Sequence, residues 1–143
     1  MRKITAFELK DCDGCLGSDN ARATIAFLRE LPHLRQLFME LTDLPLVDCI
    51  VTSLVFSPTK DDNIAPQLRA LAMRKLPTLF DGGSLVTVVA SRRGINTRST
   101  SKEYRSCSCL EEVQLGRPLS VSDSALASQW ESLCNNGLKV TYE

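Results

Sequence analysis

The sequence predicts an α/β fold, a short solenoid of about four irregular strand-helix units with parallel strands. Three observations predict it. The octet Pro-x-Leu-Arg-x-Leu-x-Met is written twice, as PHLRQLFM at residues 32–39 and as PQLRALAM at 66–73, a spacing of 34. Stretches with the shape apolar-x-x-apolar-x-apolar begin at Ile4, Leu34, Leu68 and Leu110, so their starts lie 30, 34 and 42 residues apart. The segments between them have helical spacing, and alternation of strand and helix requires parallel strands joined by crossovers. A repeat of roughly 20 to 50 residues is the usual mark of stacked supersecondary units and favours a solenoid over a doubly wound sheet.

In chain order, ITAFEL carries the first strand, with Phe7 and Leu9 flanking Glu8, the period-two pattern of a strand with one buried face. SDNARATIAFLREL offers Ser18 to Asn20 as a helix cap and sets Ile25, Leu28 and Leu31 along one side. LRQLFM repeats the strand pattern, with Leu37 and Met39 around Phe38. LPLVDCIVTSLVF has an apolar period near 3.6 and reads as a helix despite its β-branched residues. LRALAM is the third strand, with Leu71 and Met73 around Ala72. GGSLVTVVASRR then reads as a helix capped by Ser84 and closed by two arginines, which suit the negative carboxyl end. Residues 94–108, GINTRSTSKEYRSCS, are polar and basic without a period and are expected to form a flexible insertion in the third unit. LEEVQL, with Val113 and Leu115 around Gln114, is the fourth strand. SDSALASQWESLCNNG is a helix capped by Ser122 or Asp123 and stopped at Asn136 and Gly137, with Trp130 expected in the core beside Leu126 and Leu133. LKVTY, from Leu138 to Tyr142, is a fifth strand.

At 143 residues the chain has the length of one ordinary domain, and residues 1–143 are expected to fold as a single unit. A first strand at Ile4 with no helix before it would expose a sheet edge, so the unit is expected to belong to a longer array. Seventeen basic residues balance seventeen acidic ones, and nothing in the total charge directs the chain to nucleic acid or to an anionic membrane. No apolar run approaches the roughly 20 residues that cross a bilayer. Glu8, Lys10 and Asp11 interrupt the amino-terminal stretch before it reaches the length of a signal-peptide core. The expectation is an intracellular protein, cytoplasmic or nuclear, without a membrane partner, whose cysteines at 12, 15, 49, 107, 109 and 134 are reduced thiols.

The phrases FLRELPHLRQLFMELTDL, IAPQLRALAM, LVTVVASRR, CLEEVQLG and LCNNGLKVTYE cover more than half of the chain. Together they resemble the leucine-rich repeat, with its pattern Leu-x-x-Leu-x-Leu-x-x-Asn/Cys-x-Leu. More narrowly, they resemble the long irregular repeats in the carboxyl-terminal half of fungal F-box proteins. The pattern departs after its first six positions: the Asn/Cys position holds Cys12, then Thr42, Leu76 and Pro118, and only Leu44 fills the following leucine position. A regular asparagine ladder is thereby excluded. The F-box itself, which docks such proteins on the ubiquitin-ligase adaptor, does not occur in the chain, so direct adaptor docking is not expected. The resemblance implies a substrate-recognition module whose partner is a protein destined for ubiquitin transfer.

Catalytic alternatives are few. Cys12-x-x-Cys15 has the spacing of a disulfide-exchange pair, and a small thiol-disulfide oxidoreductase is the alternative function. Against it, Cys12 already occupies the repeat's Asn/Cys position, and the helix begins several residues later rather than at the pair. A zinc site from Cys12, Cys15, Cys107 and Cys109 lacks the usual ligand spacing, so no metal and no cofactor are expected. His33 is the only histidine, which removes most arrangements with a histidine base. The chain has no GxSxG, GxxxxGK[ST] or GxGxxG motif. Arg92, Arg93, Arg98, Lys102 and Arg105 lie in or beside the basic insertion, where a solvated loop explains them and nucleic acid is not expected.

The expected function is non-enzymatic protein-protein interaction. Residues between the buried apolar positions project from the open face of the sheet, which assigns Glu8, Lys10, Phe38, Glu40, Arg74 and Gln114 to a shallow partner-binding surface. Phe38, read as an exposed aromatic between Arg74 and Glu40, is its expected anchor.

Overall fold

The computed structural model describes residues 3–10, 20–57, 62–77, 79–93 and 110–142. Five strands alternate with four helices: β1 Ala6–Lys10, α1 Asn20–Arg29, β2 Gln36–Glu40, α2 Leu44–Ser53, β3 Ala70–Met73, α3 Gly83–Arg93, β4 Glu112–Leu115, α4 Ser124–Asn135 and β5 Lys139–Tyr142. The strands form one parallel sheet in the order β1-β2-β3-β4-β5, open and neither closed nor curled on itself. Sequential order lacks the reversal of a doubly wound sheet. The helices follow the same order, α1 on α2, α2 on α3 and α3 on α4.

Register makes the repetition visible. Phe7, Leu37, Leu71, Val113 and Val140 stand in one row across the sheet, and Leu9, Met39, Met73, Leu115 and Tyr142 in another. Leu34, Leu68 and Leu110 precede these rows and are fully buried. From β2 to β4 the apolar triples join Ile50 and Val51 of α2, Val86 and Val89 of α3 and Leu133 of α4 in one core. The sheet therefore buries one face under the helices. Phe7, Leu9 and Val140, on the outer strands, are only partly buried against that core.

Helix α2 shows packing overriding propensity. Its Val47, Ile50, Val51 and Thr52 are poor helix formers, yet Leu46, Val47, Ile50 and Val51 are buried, and the apolar stripe holds the helix in place. Pro45 lies in its first turn, where a missing N–H goes unnoticed. Helix α4 begins at Asp123, whose carboxylate accepts from the N–H groups of Ala125 and Leu126. It ends in a Schellman turn, with Gly137 at φ +99° and the Leu138 N–H donating to the Leu133 carbonyl. Helix α3 departs from the expectation: Ser84 lies inside the first turn, and Asp81 serves the helix start by accepting from the Gly83 N–H at 3.1 Å. Asp81 can also reach forward. It accepts from the Ser122 hydroxyl at 3.0 Å, tying the start of α3 to the segment before α4. The Gly83 N–H, then the Ser122 hydroxyl and amide, hold its carboxyl below the usual aspartate range.

The two arginines that close α3 do more than complement its dipole. Arg92 is only 2% exposed, and it donates from Nε to the Leu54 carbonyl at 2.8 Å, from Nη1 to Ala65 at 2.7 Å and from Nη2 to Ile64 at 2.7 Å. Leu54 is the carboxyl cap of α2, so the buried cation meets the negative end of the neighbouring helix. Arg93 turns the other way and donates to the carbonyls of Leu110 at 2.7 Å and Asn136 at 2.8 Å. One dipeptide thus pins the loop before β3 and the ends flanking β4 and β5.

Arg92→Met removes three buried donors and is expected to destabilise the chain by about 3 kcal/mol or more in chemical denaturation. Arg92→Lys should recover less than half of the loss, because an ammonium on a flexible stem cannot span three carbonyls as a planar fork does. Full recovery by lysine would show that charge alone matters at this position.

Candidate functional site

The face of the sheet away from the helices carries the residues that the core leaves over. Glu8, Phe38, Ala72, Gln114 and Thr141 stand in one row, and Lys10 and Glu40 pair in the next. Arg74 continues that second row, its N–H donating to the Met39 carbonyl at the end of β3. All six residues assigned to the surface from the sequence therefore fall in two adjacent rows.

Their side chains are not equally open. Phe38 is half-buried rather than exposed, since the Arg74 guanidinium carbon lies 5.8 Å from its ring centroid in a cation–π arrangement. Ala72, between Phe38 and Gln114 in the register, is only 4% exposed yet stands outside the core cluster, so its neighbours close over it on the open face. Beside this apolar centre lies a carboxylate among cations. Lys75 pairs with Glu40 at 2.9 Å, and the Lys75 hydrogen bond, then its charge and those of Lys10 and Arg74, hold the Glu40 carboxyl below the usual glutamate range. Lys10 pairs with Glu8 at 3.5 Å.

Gly116 closes the Arg74 end of the row. A Cβ at this position would stand 1.7 Å from the Arg74 carbonyl oxygen, so only glycine admits the approach of the two backbones.

At the amino-terminal margin of the same sheet lies a groove of about 610 Å³, lined by Arg35, Gln36, Arg69, Glu111, Glu112 and Lys139, among others. None of these was assigned from the sequence. The signal was present in the two x positions of each Leu-x-x-Leu lead-in, but a pleat argument that starts at the second leucine passes over them. Arg35, Gln36, Arg69 and Glu111 are exposed, and Lys139 pairs with Glu112 at 3.8 Å.

Cys12, Cys15, Cys107 and Cys109 lie outside the described residues, as does the basic insertion at 94–108. Of the described cysteines, Cys49 is an exposed free thiol and Cys134 a half-buried one. Burial, and then the charge of Glu131, push the Cys134 thiol up and away from the thiolate. Among the described residues no group of three or more His, Cys, Asp or Glu side chains is arranged to hold a metal ion. None of the described helices is long and apolar enough to cross a membrane. Compared with known proteins, the chain matches no family description, no curated protein and no solved structure.

Two outcomes are expected. In an NMR titration Glu40 should protonate below the ordinary glutamate value, and Lys75→Ala should move its midpoint upward. Because the folded value is depressed, the stabilisation linked to Glu40 is present above the unfolded value and disappears as pH falls through the folded one. Gly116→Ala, which drives a methyl group into the Arg74 carbonyl, should destabilise by about 2 to 4 kcal/mol in denaturant.

Proposed function

We propose that the chain is a protein-interaction module without catalytic activity, built as a leucine-rich-repeat-like solenoid and using the open face of its parallel sheet. The observation that carries this reading is the in-register display of Glu8, Phe38 and Gln114 beside Lys10, Glu40 and Arg74, on the face that the core does not use. A mixed row of this kind surrounds an aromatic and an arginine, two residue types enriched at interface hot spots, with charges suited to a rim. Phe38 and Arg74 already touch, so an incoming apolar side chain would meet an ordered platform rather than a mobile one.

The resemblance to fungal F-box proteins adds the kind of partner: a protein destined for ubiquitin transfer. That step rests on family analogy through PHLRQLFM, PQLRALAM and CLEEVQLG.

The test separates the two faces of β2. Phe38→Ala should weaken capture of partners from a cell lysate by about tenfold or more while lowering stability by no more than about 1 to 2 kcal/mol. Leu37→Ala, a core truncation, should destabilise by roughly 2 to 5 kcal/mol. The opposite pattern would refute the assignment of faces. Partners that depend on Cys12 and leave on addition of reductant would favour thiol exchange instead.

A further inference from the structure

We propose that the groove at the amino-terminal margin of the sheet is a docking site for an extended acidic peptide segment, with Arg35 and Arg69 as its anchors. The inference rests on the interaction-module reading and names the chemistry of the partner.

Backbone hydrogen bonds place the anchors side by side. The Arg69 N–H donates to the Arg35 carbonyl at 2.8 Å, so the two arginines occupy equivalent positions on adjacent units, one strand spacing or about 4.8 Å apart. Both are exposed, both line the groove, and among the described residues neither forms an ion pair. Like charges opposite each other across a strand pair repel, and an anion seated between them would relieve that repulsion. The next unit places Glu111 in the equivalent position, its N–H donating to the Arg69 carbonyl at 2.8 Å, with Glu112 beside it. Lys139 follows on β5.

Along the row of Arg35, Arg69 and Glu111 the charges therefore run positive, positive, negative, while Lys139, in register with Glu112, already pairs with it at 3.8 Å. A nucleic acid or another uniform polyanion would carry phosphates onto Glu111 and Glu112 and be repelled there. A peptide avoids that conflict. Acidic side chains opposite Arg35 and Arg69, with a basic residue opposite Glu111, satisfy the whole row. From Arg35 to Lys139 is three strand spacings, about 14 Å, which roughly four residues of extended chain would span. The groove, of about 610 Å³ and open to solvent, has room for several side chains rather than a single ion. Gln36, beside Arg35 in the groove, offers an amide to the peptide backbone.

The test is selection from a random peptide library on the full chain, followed by fluorescence polarisation of the selected peptides with Arg35→Glu, Arg69→Glu and Phe38→Ala. Both groove residues are exposed, and circular dichroism of each variant checks that the fold persists. The expected result is enrichment of acidic residues followed by a basic one, with affinity that falls as salt rises. Arg69→Glu should weaken binding by about tenfold or more, and a peptide with lysine in place of only the acidic residue that faces position 69 should regain binding to that variant. Selected peptides that are apolar, indifferent to Arg35→Glu and Arg69→Glu but lost with Phe38→Ala, would overturn the acidic-peptide groove and leave the interaction surface standing. Binding indifferent to all three variants would overturn both.

Discussion

Strands β2, β3 and β4 enter the sheet by the same hydrogen-bonded step, and the rest of the molecule depends on it. The Thr5 carbonyl accepts from the N–H groups of both Arg35 and Gln36, the Arg35 carbonyl from Arg69 and Ala70, and the Arg69 carbonyl from Glu111 and Glu112. Two consecutive donors share one acceptor at the start of each of these strands, so two residues stand between the first and second inward apolar positions while the register beyond them stays one-to-one. This is the physical content of the Leu-x-x-Leu spacing. Leu34 and Leu37 both face the core, and so do Leu68 with Leu71 and Leu110 with Val113. A slip of one residue at any step would turn Leu37 and Met39 to the open face and bring Phe38 and Glu40 under the helices. The same step leaves Arg35, Gln36, Arg69 and Glu111 exposed, so the entry that precedes the register also lines the groove holding Arg35 and Arg69.

The helical layer is locked to that register from its carboxyl ends. Strand pairing fixes neighbours within the sheet, but it does not by itself fix the connections that return to it. Arg92 holds the end of α2 and the Ile64–Ala65 segment, and Arg93 holds the lead-in to β4 and the end of α4. Ala65 adopts φ 46°, a left-handed conformation that a residue with a Cβ rarely takes, and its carbonyl is one of the three that Arg92 engages. Asn63 closes the same segment by exchanging hydrogen bonds with Ser57 in both directions. Backbone polar groups of an irregular connection beside the core are thus satisfied by side chains, as burial requires.

Strand positions, strand direction and most helix ends were legible in the sequence because each rests on a local rule. Alternation around Phe38, Ala72 and Gln114 marks a one-sided strand whatever lies next to it, and Asn136-Gly137 stops a helix through its own backbone geometry. What stayed illegible depends on the neighbouring unit. Ser84 has the composition of a cap, but Asp81 accepts the N–H because it is also held by Ser122, about forty residues later. Arg92 reads as a solvated helix end, and its burial follows from three carbonyls contributed by the preceding unit. Phe38 reads as exposed until Arg74, from the next strand, is laid over it. The pairing of Arg35 with Arg69 likewise exists only once the register is known. The repeated octet does write both arginines in the same place.

A parallel sheet with its helices on one side divides its residues between two tasks with little conflict. The inward rows and the closing arginines carry the stability, and neither Leu37 nor Arg92 reaches the open face. The outward rows carry little of it: exposed ion pairs such as Lys10 with Glu8 contribute at most about 1 kcal/mol each. Substitutions at the exposed Gln36 or Arg69 can then change the charge of the surface without disturbing what folds it. Gly116 and Ala72 are the exceptions, since both lie in the outward rows and both are constrained by the close approach of neighbours. They mark where the open surface and the packing meet, at the centre and at the Arg74 end of the face. On the proposed reading, a partner engaging Phe38 and Arg74 would meet the part of the face whose shape the fold itself holds fixed.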